Sequence, residues 1–91
     1  MQLTQPKDLK FGDYIFIKHK ARIPREYLTF ARMHIYDGSV CYAVIKYYYL
    51  VAGEFVEETP IYFNGSTLSE KDTYYKLDDD EIMQYILIDQ L

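Results

Sequence analysis

Cysteine occurs once in this chain, tryptophan is absent, and glycine and proline appear only four and three times. The lone Cys41 rules out an intramolecular disulfide, and with it the disulfide-stapled class of small secreted domain. The glycines stand apart at Gly12, Gly38, Gly53 and Gly65, each beside a turn signal, so no glycine-rich loop is present to cradle a phosphate. Long apolar runs are missing as well. The best candidate, residues 40–52, is interrupted by Lys46 and falls short of the ~20 residues that a membrane-spanning helix needs. No basic stretch leads into an apolar one in the manner of a secretion signal, so a cytoplasmic protein with no membrane partner is the expectation. Asn64-Gly65-Ser66 accordingly reads as a turn rather than a glycosylation site.

What is abundant is tyrosine, at eleven residues, with five phenylalanines beside it. A half-buried strand suits Tyr, because the ring packs while the hydroxyl stays wet. The richest region is split by Asp37-Gly38, which separates two β-branched and aromatic runs, Tyr27 to Tyr36 and Ser39 to Tyr48. Asp-Gly between such runs signals a two-residue type I′ hairpin, since both turn positions need positive φ. If Tyr36 faces Ser39, one face carries Ile35–Val40, Met33–Tyr42, Ala31–Val44 and Thr29–Lys46. The other carries Tyr36–Ser39, His34–Cys41, Arg32–Ala43, Phe30–Ile45 and Leu28–Tyr47. The apolar side changes face near residues 30–31 and 44–45, which predicts a coil or bulge there, or burial of both faces.

The remaining chain completes one domain, residues 1–91. Residues 1–10 are polar, contain Pro6 and read as a loose N-terminal arm. Phe11-Gly12-Asp13 turns into a strand over Tyr14 to Lys18, and over these few residues the chain resembles the opening of SH3-like barrels. Ala52-Gly53 offers a second turn before Glu54 to Glu57. Pro60 begins an edge strand over Ile61 to Phe63, closed by Asn64-Gly65, and residues 73–77 return to strand character. Asp78, Asp79 and Asp80 ahead of Glu81 predict one or two helical turns over 79–84, followed by a closing strand over 85–89. The expected fold is all-β or β-dominated: a small SH3-like barrel of five or six antiparallel strands with a short C-terminal helical turn. The alternative is an α+β antiparallel sheet carrying one helix.

Catalytic and metal-binding patterns are sparse. His34 and Cys41 oppose each other in the hairpin register, but two ligands fall short of a zinc site, and no group orients a Cys–His pair for nucleophilic attack. The acidic run lacks the alternating oxygen spacing of a calcium loop. No enzyme, cofactor or metal is therefore expected. Charge is the sharper signal. Residues 1–50 hold eight Lys/Arg against four Asp/Glu, whereas residues 51–91 hold two against ten; +4 and −8 give the net −4. Lys18, Lys20, Arg22 and Arg25 cluster within eight residues, Arg32 lies on the polar face of the hairpin, and Tyr27 and Tyr36 offer stacking surfaces. These seven residues form the candidate binding site. They point to a non-catalytic module that recognises a protein partner, such as a small accessory or inhibitory protein of phage or plasmid type. The alternative ligand is nucleic acid or a small phosphorylated molecule, against which stands the acidic pI near 5.0. Self-association is a third expectation, through Lys18 to Arg25 of one copy meeting Asp78 to Glu81 of another.

Overall fold

A computed structural model describes the backbone of residues 1–20, 27–60 and 65–90, and the side chains of these residues apart from 27, 65 and 86–90. Among the described residues seven strands pair into one antiparallel sheet: β1 (Gln2–Thr4), β2 (Tyr14–Lys18), β3 (Tyr27–Tyr36), β4 (Ser39–Val51), β5 (Glu54–Glu58), β6 (Gly65–Ser66) and β7 (Thr73–Lys76). One α-helix among the described residues, α1 (Asp79–Gln90), follows. The strand order is β1-β7-β2-β3-β4-β5, with β6 also paired to β4. The fold is strand-dominated and antiparallel, with one helix. The expected edge strand Ile61 to Phe63 lies outside the described residues.

The central hairpin forms as its residues dictate. Asp37 and Gly38 adopt φ of 52° and 78°, the positive values of a type I′ turn. From Tyr36↔Ser39 to Ala31↔Val44 the paired numbers sum to 75; from Phe30↔Lys46 to Tyr27↔Tyr49 they sum to 76. Ile45 is the extra residue of a β-bulge between Phe30 and Ala31, where the apolar face was expected to change. The pairs below the bulge shift accordingly, so Phe30 opposes Lys46 rather than Ile45.

That change of face builds two clusters on opposite sides of the sheet. Ile15, Ile17, Ala31, Met33 and Tyr74 gather with Leu9 on one side, and Tyr42 and Leu68 pack against them. Phe16, Phe30 and Leu77 gather on the other, joined by Leu28, Ile45, Tyr48, Ile82 and Tyr85. Alternation along β2 sends Ile15 and Ile17 one way and Phe16 the other, and all three are buried.

Two expectations at the termini are overturned. Residues 1–10 are not a loose arm: Gln2–Thr4 pair with β7, Pro6–Asp8 make a 3-10 turn, and Leu9 is buried. The closing strand expected over 85–89 is instead part of α1, which runs on to Gln90. The two corrections share a cause. β1 occupies the edge of β7 that a closing strand would have used. The helix meanwhile has a strong start, a reciprocal capping box. The Glu81 amide donates to Asp78 Oδ1 at 2.8 Å, and the Asp78 amide donates to Glu81 Oε1 at 3.2 Å. Ile82 and Tyr85, three residues apart, then share a face, and the Tyr85 ring meets Phe16 edge-on at 5.1 Å and Phe30 at 5.7 Å. An edge-on ring pair of this kind contributes about 0.5–1.5 kcal/mol beyond its buried area.

Candidate functional site

Strand pairing between β2 and β7 assembles a cationic site at one end of the sheet. Lys18↔Thr73 is the last pair of that ladder, so the chain leaving β2 and the turn entering β7 lie side by side. A depression of about 460 Å3 results, lined by Lys18, His19, Lys20, Lys71, Thr73 and Tyr75. All three lysines are exposed, and among the described residues no carboxylate lines the depression. A larger one of about 610 Å3 is lined by Lys7, Glu70 and Asp72 among others, so charges of both signs oppose each other there.

The backbone behind the lysines is held by a polar relay, half-buried at His19 and Asp72 and fully buried at Thr29. His19 Nδ1 lies 3.1 Å from Asp72 Oδ2, and His19 Nε2 lies 2.8 Å from Thr29 Oγ1. The Lys20 amide donates to the other Asp72 oxygen at 3.0 Å. On the opposite rim, the Lys71 amide donates to Ser69 Oγ at 3.2 Å. Asp72 thus spends both oxygens on the two residues that flank the β2 exit. The connectivity Asp72–His19–Thr29 is that of a carboxylate–imidazole–hydroxyl triad, but Thr29 is fully buried. A hydroxyl sealed from solvent and already hydrogen-bonded meets no substrate carbonyl, so the relay works as an anchor.

Of the seven expected site residues, the structure brings two to this depression, Lys18 and Lys20. Arg22 and Arg25 lie outside the described residues, as does the side chain of Tyr27. Arg32 is elsewhere. It pairs with Tyr14, four residues and about 13 Å along β2 from Lys18. Its guanidinium carbon sits 5.5 Å from the Phe11 ring centre and 5.8 Å from that of Tyr14, within cation–π range. Arg32 Nε is buried with no hydrogen-bond partner among the described residues. Tyr36 is exposed at the hairpin tip, eight residues along β3 from Leu28, the residue that pairs with Lys18. Sequence reasoning missed Lys71, Thr73, Tyr75 and the anchor Asp72. They lie more than fifty residues from Lys18, and no local pattern links them to it.

His34 and Cys41 do oppose each other. Cys41 is buried, and the His34 ring packs on Phe11 at 5.7 Å. Among the described residues no group of three His, Cys, Asp or Glu side chains is arranged to hold a metal, and no helix is long and apolar enough to cross a membrane. Comparison with protein-family models, curated proteins and solved structures finds no match.

Proposed function

We propose that the protein is a non-catalytic recognition module whose lysine depression engages an acidic surface on a protein partner. The observation that carries this reading is the convergence of Lys18, Lys20 and Lys71 on one depression, in a molecule whose net charge is −4. Such a patch steers an anionic partner and fixes its orientation more than it adds affinity. The Asp72–His19–Thr29 anchor supports the reading too, because a backbone held in place loses less entropy when a ligand arrives. Nucleic acid is the competing occupant, with Tyr75 as a stacking surface. The acidic molecule as a whole would repel a long phosphate backbone, which favours the protein partner. The wider proposal is a small SH3-like accessory or inhibitory protein, of phage or plasmid type, acting in the cytoplasm.

The test is a Lys20→Glu, Lys71→Glu double variant. Both sites are exposed, so stability should stay within about 0.5 kcal/mol of the original. Binding to labelled poly-glutamate, measured by fluorescence anisotropy over a salt series, should weaken at least tenfold and lose most of its salt dependence. A folded double variant with unchanged binding removes the site. Tighter binding to single-stranded DNA than to poly-glutamate, equally sensitive to the substitutions, hands the site to nucleic acid instead.

A further inference from the structure

β5 is the outermost strand on the β4 side of the sheet, and it is unlike every other strand in being exposed along its whole length. It pairs with β4 from Glu54↔Val51 to Glu58↔Tyr47, numbers that sum to 105. β6 pairs with the same side of the same strand at Gly65↔Ala43 and Ser66↔Tyr42, where the sum is 108. β5 and β6 therefore run in line along one margin of β4, with three more residues between them than a continuous strand would hold. No strand among the described residues pairs with the outer side of β5. Its amides and carbonyls on that side form an open ladder.

Side chains give this edge a definite character. Phe55 and Val56 are 66% and 47% exposed, and Leu50 and Val51 beside them on β4 are exposed too. Around them stand Glu54, Glu57 and Glu58. Lys46 reaches Glu57 at 3.4 Å; no ion pair to Glu54 or Glu58 occurs among the described residues. Alternation puts Glu54, Val56 and Glu58 on one face and Phe55 with Glu57 on the other.

We propose that the outer edge of β5 accepts an extended, cationic segment of a partner protein as an additional antiparallel strand. The glutamates choose the occupant. A second copy pairing edge to edge about Val56 would set Glu54 of each chain opposite Glu58 of the other, and like charges directly opposed destabilise a strand pair. A strand carrying Lys or Arg opposite Glu58, Glu57 and Glu54, and apolar residues opposite Val56 and Phe55, meets complementary groups at all five positions. Backbone hydrogen bonds would supply affinity and the alternating side chains selectivity. This surface shares no residue with the lysine depression, so it stands or falls independently of the function proposed above.

The experiment is fluorescence anisotropy with the full chain and a labelled peptide whose core reads Lys-Lys-Val-Ile-Lys. Three comparisons accompany it. One peptide has alternate backbone amides N-methylated, which keeps its charge and removes its ladder donors. A Glu54→Lys, Glu58→Lys variant is titrated with the Lys peptide and with a peptide bearing Glu at the same positions. The Lys20→Glu, Lys71→Glu variant is titrated with the Lys peptide. The expected result is saturable binding that falls at least tenfold on N-methylation, falls at least tenfold in the Glu54/Glu58 variant, returns there with the Glu peptide, and is unchanged in the lysine variant. Absence of binding overturns the proposal. So does equal binding of the N-methylated peptide, which reduces the contact to charge alone, and so does loss of binding in the lysine variant, which moves it to the other site.

Discussion

Tyr74 is the side chain where burial and chemistry meet most closely. It stands on β7, 1% exposed among Ile15, Ile17, Ala31 and Met33 on one face of the sheet, yet its hydroxyl accepts from the Ser69 amide at 2.8 Å and donates to the Ser69 carbonyl at 3.0 Å. One phenol thus closes both polar groups of the turn that leads to Lys71 and Asp72. Burial raises its pKa above the ordinary value, outweighing the hydrogen bond to Ser69, which lowers it; the nearby Asp72 charge adds to the rise. A raised folded pKa means that the neutral form is favoured by folding. Its contribution is complete below about pH 10, the unfolded value, and is lost as pH climbs through the folded one. Tyr74→Phe should cost about 1–3 kcal/mol at neutral pH, since the Ser69 amide loses its partner and the Ser69 carbonyl keeps only the Asp72 amide at 3.3 Å. Chemical denaturation repeated from pH 8 to 11 should then show a flatter alkaline decline in the variant than in the original protein. A parallel decline would mean that another group governs it.

At the scale of elements, the two hairpins show which signals in a sequence are self-sufficient. The β3–β4 hairpin was legible down to its bulge, because a period-2 pattern on either side of Asp37-Gly38 holds all the information needed. The β4–β5 turn at Ala52-Gly53 was legible for the same reason, although Ala52 is an awkward occupant. It adopts φ of 51°, a left-handed conformation that costs an alanine roughly 1–2 kcal/mol. Ala52→Asn relieves that strain with a residue that tolerates the region, and should raise Tm by about 4–8 °C; an unchanged Tm would place the strain elsewhere. The C-terminal helix was legible only at its start. Asp78 and Glu81 announced the cap, but Tyr85-Ile86-Leu87-Ile88 suits helix and strand alike. What decided between them was the edge of β7, filled by residues from the far end of the chain.

For the whole molecule, the candidate site was half legible. Lys18 and Lys20 could be picked out because like charges cluster in sequence, whereas Lys71 and the Asp72 anchor arrive through the β2–β7 pairing, which no local pattern encodes. Arg32 looked free in the sequence because Glu26 is the only acid between Asp13 and Asp37; in space it lies within cation–π range of two rings. The lysine depression lies at the end of β2 and β7, while β5 with its three glutamates is the outermost strand on the β4 side of the sheet.

The two-residue turn at Asp37-Gly38 carries a consequence in time. Its hairpin closes a loop of only two residues, whereas pairing β1 with β7 must bring residues 2–4 to residues 74–76, the largest loss of chain entropy among the described strand pairs. Order of formation should follow that cost, with β3–β4 structured at the folding barrier and the termini joining afterwards. Gly38→Ala tests the early step cleanly, because an added methyl meets nothing within 4 Å and only the positive φ is penalised. In stopped-flow denaturant series it should slow folding several-fold and leave the unfolding rate nearly unchanged. Tyr85→Ala, which strips the helix of its contact with Phe16 and Phe30, should do the reverse, with unfolding accelerated and folding barely altered. If both substitutions act on the same arm of the kinetics, the hairpin is not the protein's starting point.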